Sequence, residues 1–186
     1  MDNKILVLLG KSGVGKDTLA SMIKERLEYN FIVSHTTRPK REGESNGNPY
    51  YFIGKHLMFE FQDKNELIEC RSYDTILNGE EDTWYYAVHK SEVEEDKKYV
   101  VVLDIEGLKD FKKIFGNRIV SIYIFTDDKI RESRAKKRGG FCQEEWDRRL
   151  QTDSIDFSRE KVVENIDYFI ENNKIEYSYK SICKLI

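Results

Sequence analysis

The sequence predicts an α/β protein with a parallel sheet core flanked by helices and a small mixed insertion. Three observations predict it. Short apolar runs alternate with helical patterns along most of the chain, the signature of a parallel sheet covered on both faces. The first apolar run passes directly into a glycine-rich turn. One long stretch, 36–88, breaks the alternation with turn signals and short strand-like pieces.

The first strand is Ile5-Leu6-Val7-Leu8-Leu9, an unbroken apolar run suited to burial on both faces. Gly10, Lys11, Ser12, Gly13, Val14, Gly15, Lys16, Asp17 and Thr18 follow it as GKSGVGKDT. This is G-x-x-x-x-G-K spacing between a strand and a helix, the P-loop arrangement, and it makes nucleotide phosphate chemistry the first expectation. The glycines let the backbone turn tightly and aim successive N–H groups at one anion. The helix expected over 16–29 directs its positive end to the same place. Lys16 adds a mobile charge that follows the phosphate being transferred. Asp17 stands where Ser or Thr is usual, so Thr18 is the nearer hydroxyl and is expected to touch a phosphate.

Further strands are expected at 31–33, 99–103, 119–125 and 168–170, with helices at 106–115, 127–138, 143 to about 165, and 174–185. Asp104 ends an apolar strand, and a carboxylate there lies beside the phosphate loop in open α/β sheets. It is placed to orient water around Mg²⁺ or to touch an acceptor nucleotide. The stretch 36–88 carries Arg38-Pro39, Gly43, Gly47, Pro49 and Asn78-Gly79, with strand-like pieces at 50–53, 67–73 and 83–88. Asn78-Gly79 marks a hairpin turn. A basic, then glycine-rich segment at 136–143 is suited to closing over a ligand.

The bulk numbers bound the function. A chain of 186 residues suits one domain with a full core. A net charge of −3 gives no support for nucleic-acid or membrane-surface binding. Cys70, Cys142 and Cys183 are odd in number and widely spaced, which fits neither a disulfide framework nor a zinc site and points to a reducing cytoplasm. The opening apolar run is too short for a signal peptide, and nothing reaches membrane-spanning length. His35, His56 and His89 lack metal-ligand spacing; Trp84 and Trp146 read as packing residues. The expected partners are small molecules, with monomer and homodimer both open.

Ser34-His35-Thr36-Thr37-Arg38-Pro39-Lys40-Arg41-Glu42-Gly43-Glu44, then Gly47-Asn48-Pro49-Tyr50-Tyr51-Phe52, is more specific than the phosphate loop. Arg38 and Arg41 are three apart, so both guanidiniums can face one phosphate from a turn, and Tyr50 can donate to the same group. With the loop, this segment resembles guanylate kinase, over residues 5 to about 172. The resemblance implies a single P-loop NTPase domain of three parts: a core (1–35, 89–130, 160–186), an acceptor-nucleotide arm (36–88) and a lid (131–159).

The resemblance also implies roles. Glu69 accepts from N1–H and N2–H₂ of guanine, an edge that adenine lacks; Ser34 bonds guanine O6; Tyr86 takes the phosphate-binding tyrosine position. The sequence departs from the family at Val88, which has no hydroxyl where the family places a second guanine-holding one. Against the family's L-D-I-D-x-Q-G this chain has Leu103-Asp104-Ile105-Glu106-Gly107, in which Glu106 starts a helix and the glutamine is missing. Arg134, Arg138 and Arg149 match the lid arginines, although the pair Arg148-Arg149 leaves open which one points inward. Asp156 stands for the family glutamate. ATP and Mg²⁺ are implied, the metal held through water by Asp104 and Asp17. The expected reaction is phosphorylation of GMP or dGMP, with Lys16, Arg138 and Arg149 on the moving phosphoryl group. The alternatives are a kinase of altered base choice and an inactive interaction module.

Overall fold

The computed structural model describes residues 4–40, 43–48, 50–77, 80–137 and 141–186. Arg41, Arg138 and the Asn78-Gly79 turn lie outside the described residues. The elements in chain order are strand β1 (Ile5–Leu9), helix α1 (Lys16–Leu27), β2 (Asn30–Phe31), β3 (His35–Thr36), β4 (Tyr51–Phe52), α2 (Lys55–Asp63), β5 (Leu67–Leu77), β6 (Glu80–His89) and β7 (Tyr99–Val102). They continue with α3 (Ile105–Phe115), β8 (Ile119–Phe125), α4 (Asp128–Lys137), α5 (Gln143–Asp156), α6 (Arg159–Asn165), β9 (Tyr168–Glu171) and α7 (Ile175–Cys183). The chain forms two compact units: Met1–Phe31 with Lys98–Ile186, and Ile32–Lys97.

The first unit is the expected parallel sheet. Its strand order is β2-β7-β1-β8-β9, every pair parallel. Leu6 and Leu8 point to one face, where they join Leu19, Ile23, Val100, Ile122, Ile124, Ile170 and Ile182 in a core built with α1 and α7. Ile5, Val7 and Leu9 alternate to the other face and are equally buried. There α3 packs on β8 and on α6, burying Ile105, Leu108 and Phe111. Two-sided burial is why β1 reads as a continuous apolar run. The order reverses at β1, between β7 and β8, which is where open α/β sheets bind ligands beyond the carboxyl ends of their strands.

The expected single helix from 143 to about 165 is instead two, broken at Phe157 and Ser158. Phe157 leaves helical geometry, and its ring meets Tyr123 of β8 at 5.7 Å. That anchor turns the chain so that α6 returns to α3. Ser158 then starts the new helix from extended backbone.

The second unit is a four-stranded sheet in the order β4-β3-β6-β5, with β3 and β4 parallel and the other pairs antiparallel. The long β5–β6 ribbon pairs as far as Leu77 and Glu80, further than the strand-like pieces at 67–73 and 83–88 suggest. Helix α2, which the sequence did not announce, covers part of this unit. Its composition, KHLMFEFQD, is aromatic-rich, and Gly54 supplies no capping side chain. Phe61 of α2 packs against the rings of His35 and His89 at 5.8 and 4.7 Å.

Candidate functional site

In the first unit the loop after β1 is shaped by its glycines. Gly10, Gly13 and Gly15 have φ of 140°, 80° and 95°. A Cβ at Gly10 would lie 2.1 Å from the Ile124 carbonyl oxygen, so the loop passes too close to β8 for any side chain there. Lys16 Nζ donates to the carbonyls of Gly10 at 2.7 Å and Lys11 at 3.2 Å. Val14 is buried, whereas Asp17 and Thr18, in the first turn of α1, are exposed.

The lid-side helices hold this loop. Arg131 of α4, 1% exposed, donates from Nε to the Ser12 carbonyl at 2.7 Å and pairs with Asp128 at 2.6 Å. Its Nη2 donates to Asp153 of α5. Asp153 accepts from the Ser12 main-chain N–H at 2.9 Å and from its hydroxyl at 3.2 Å. Arg134 donates to the Val14 carbonyl at 3.1 Å and the Asn172 carbonyl at 2.8 Å. The Asn172 side chain reaches Val14 as well, at 2.7 Å. Arg149 is half-buried and Arg148 exposed, so the register of α5 turns Arg149 partly inward.

The second unit gathers the other candidates on one sheet face. Directly opposed residues of an antiparallel pair share a face. Glu69 is opposite Val88, Arg71 opposite Tyr86, and Tyr86 opposite Thr36. A β-bulge between Leu67 and Glu69 sets this register, leaving Ile68 as the extra residue. Glu69 is 7% exposed and Val88 fully buried. Arg71 Nε lies 4.0 Å from the Glu69 carboxylate. Tyr86 stacks edge-on with Tyr50 and Tyr73, each at 5.6 Å. The Arg38 guanidinium lies 5.7 Å from the Tyr50 ring and forks onto Glu44 at 2.9 and 3.0 Å. Burial opposes its charge, but Glu44 and Tyr86 outweigh that and raise its pKa. Ser34, half-buried, accepts from the Tyr51 main-chain N–H at 3.0 Å through its carbonyl. The structure therefore brings together Arg38, Tyr50, Glu69, Tyr86 and Val88.

Comparison with known proteins gives the family. The family model for guanylate kinase matches residues 2–186. The chain belongs to the guanylate kinase family. It is 32% identical to a guanylate kinase of Prochlorococcus marinus subsp. pastoris, over 98% of this chain and 96% of that one. It is 30% identical to a guanylate kinase of Campylobacter jejuni, over 98% and 87%. Its fold is similar to the crystal structure of guanylate kinase from Anaplasma phagocytophilum, with a TM-score of 0.71, 25% identity, and coverage of 99% and 84%.

Guanylate kinase membership implies nucleotide and Mg²⁺ binding, and the acidic residues of the first unit fit a hard cation. Asp104 caps α3, accepting from the Gly107 N–H at 2.7 Å. Asp156 has a raised pKa, first from burial and then from the charges of Asp104, Asp153 and Glu106, with Lys161 opposing. Among the described residues no three acidic, histidine or cysteine side chains form a ready-made cage. Mg²⁺ binds through one or two carboxylates, substrate phosphates and retained water, and Asp104 offers one such carboxylate. No helix among the described residues is long and apolar enough to cross a membrane.

Sequence reasoning missed Arg131, Asp153, Asn172 and Arg71 as site residues. Arg131 and Asp153 sit in charged, helix-forming segments that read as solvated faces. Asn172 follows the strand expected at 168–170, and nothing in its spacing marks it as a partner of the glycine-rich loop. Arg71 stood two residues from Glu69, the spacing of one strand face.

Proposed function

We propose that the protein transfers the γ-phosphoryl group of ATP to the 5′-phosphate of GMP or dGMP. The observation that carries the choice of base is Glu69, a buried carboxylate on the face that also holds the arginine–tyrosine cluster. A carboxylate accepts two charge-assisted hydrogen bonds from guanine N1–H and N2–H₂, and meets a lone pair at adenine N1 instead. Arg38, with Arg41 and Tyr50, holds the acceptor's phosphate; residues 36–88 are the acceptor arm and 131–159 the lid.

The acceptor oxygen is already anionic, so the protein need supply no strong base. An oxygen of the 5′-phosphate forms a bond to the γ-phosphorus as the bond to the β,γ-bridging oxygen breaks, and ADP leaves. Lys16 turns from the Gly10 and Lys11 carbonyls to the moving group, while Arg138 and Arg149 neutralise its equatorial oxygens. Asp104 and Asp17 would hold Mg²⁺ through water, and the ion would supply charge neutralisation on the donor phosphates. Asp17 and Thr18, exposed on the first turn of α1, are available to the same end of the donor. Closure of lid and arm excludes water, so ATP is not hydrolysed. The free state of Cys70, Cys142 and Cys183 suits a reducing cytoplasm.

A second reading, altered base choice, is favoured by one observation: Val88 is buried on the Glu69 face and offers no hydroxyl. A coupled assay of ADP formation with GMP, dGMP, IMP, AMP, CMP and UMP decides between them. GMP and dGMP are expected to lead by at least ~100-fold in kcat/KM, because a buried carboxylate left facing an acceptor is heavily penalised. Preference for AMP or a pyrimidine would establish the second reading. Failure to bind ATP by calorimetry would leave only an interaction module.

A further inference from the structure

We propose that Arg131 and Asp153 are positioning residues that set the shape of the phosphate loop and tie it to the seating of α5. The inference rests on the reading of Gly10–Thr18 as the donor-phosphate loop. It starts from peptide planarity: in a trans peptide the C=O of one residue and the N–H of the next point in opposite directions. Fixing a carbonyl therefore aims the following amide.

The bonds of the loop sort into two sides on this rule. The carbonyls of Gly10 and Lys11 point to Lys16 Nζ. The next amide, that of Ser12, must then point away from the ammonium, and it does so, donating to Asp153. On that same outer side Arg131 takes the Ser12 carbonyl, which turns the Gly13 N–H back toward the lysine side. Arg134 and Asn172 take the Val14 carbonyl and turn the Gly15 N–H the same way. Two amides of the anion cradle are thus aimed by side chains that need not touch the anion. Asp153 is the pivot, since both of its oxygens bond Ser12 while Arg131 neutralises it. Without Arg131 a carboxylate would stand uncompensated beside a loop built for polyphosphate. Arg131 belongs to α4 and Asp153 to α5, the helix carrying Arg149, so loop shape and the placement of that arginine are coupled.

The test measures ATP affinity by calorimetry without acceptor, KM for ATP and for GMP, and Tm, on wild type, D153N, R131K and the double variant R131M/D153L. Asn keeps the shape of Asp153 but turns an amide N–H₂ toward Arg131. The double variant replaces a buried ion pair by apolar groups, a change that folds tolerate. We expect D153N and the double variant to weaken ATP binding and raise KM for ATP at least tenfold, with KM for GMP changed less than twofold. R131K, which retains a donor for the Ser12 carbonyl, should recover part of that loss. Wild-type ATP affinity in folded D153N or R131M/D153L would overturn the inference. So would equal rises in both KM values accompanied by a lower Tm. If the double variant does not fold, D153N and R131K decide. A wild type that binds ATP but leaves GMP unphosphorylated would defeat the proposed reaction while the binding arm still judges these two residues.

Discussion

Glu69 concentrates the choice of base in one side chain, so E69Q is the most informative single substitution. The amide would set an N–H₂ against guanine's own donors. We expect kcat/KM for GMP to fall by ~100-fold or more, with AMP changed far less, in the same coupled assay. Val88 makes the complementary test. V88T adds a hydroxyl in place of a methyl at a buried site. The free protein should lose about 1–2 kcal/mol of stability in denaturant titration, because the hydroxyl is buried before a base satisfies it. If guanine then accepts or donates there, KM for GMP should drop several-fold. For Lys16, K16M should lower kcat by at least ~100-fold with little change in KM for GMP; an unchanged kcat would reject its role on the moving phosphate. Arg38 and Tyr50 were legible at this scale because their motif fixes residue types at fixed spacing, and Glu69 only through the resemblance that this motif carries. Arg71 was not, since one arginine in a strand has no distinctive pattern.

At the level of elements, two irregularities do the positioning. The bulge at Ile68 shifts the β5–β6 register by one residue and sets Glu69 opposite Val88. The break at Phe157–Ser158 separates α5, which touches the phosphate loop through Asp153, from α6, which packs on α3. Neither was visible in the sequence: a bulge preserves strand-like composition, and a helix anchored elsewhere keeps its helical period on both sides of the break. The strand–loop–helix unit at the start was fully legible, because glycine spacing is itself the geometric requirement. G10A should therefore be severe, for its Cβ would meet the Ile124 backbone and its φ of 140° suits only glycine. We expect a loss of about 2–4 kcal/mol by denaturant unfolding, together with lost ATP binding.

For the whole molecule, acid stability offers a check on the unit formed by Ile32–Lys97. Burial, and then the neighbouring His89, lower the His35 pKa from 6.5 to about 4. Between those values the unfolded chain binds a proton that the folded chain refuses, so stability falls as pH drops from about 6.5 to about 4. Asp156, with its raised pKa, works in the opposite direction near the lower end of that window. The depressed carboxyl of Asp167, bonded to Ser121, loses its contribution only at lower pH. Comparing H35F with wild type isolates the histidine: the variant should show a flatter pH dependence of its unfolding midpoint between pH 6.5 and 4. Equal slopes would mean that His35 titrates normally in the folded protein.

The sequence by itself determined the parallel-sheet class, the phosphate loop and the segment that marks the family. All of these are written in local periodicity or in fixed spacing along the chain. Tertiary structure alone decided that Arg131 and Asp153, 22 residues apart, meet in a buried pair. It also decided that Asp153 reaches across 141 residues to Ser12. Such a pairing leaves no local trace, because each residue sits in a charged helix whose pattern is the same whether its side chain faces water or a buried partner. Only the packing of those helices distinguishes the two.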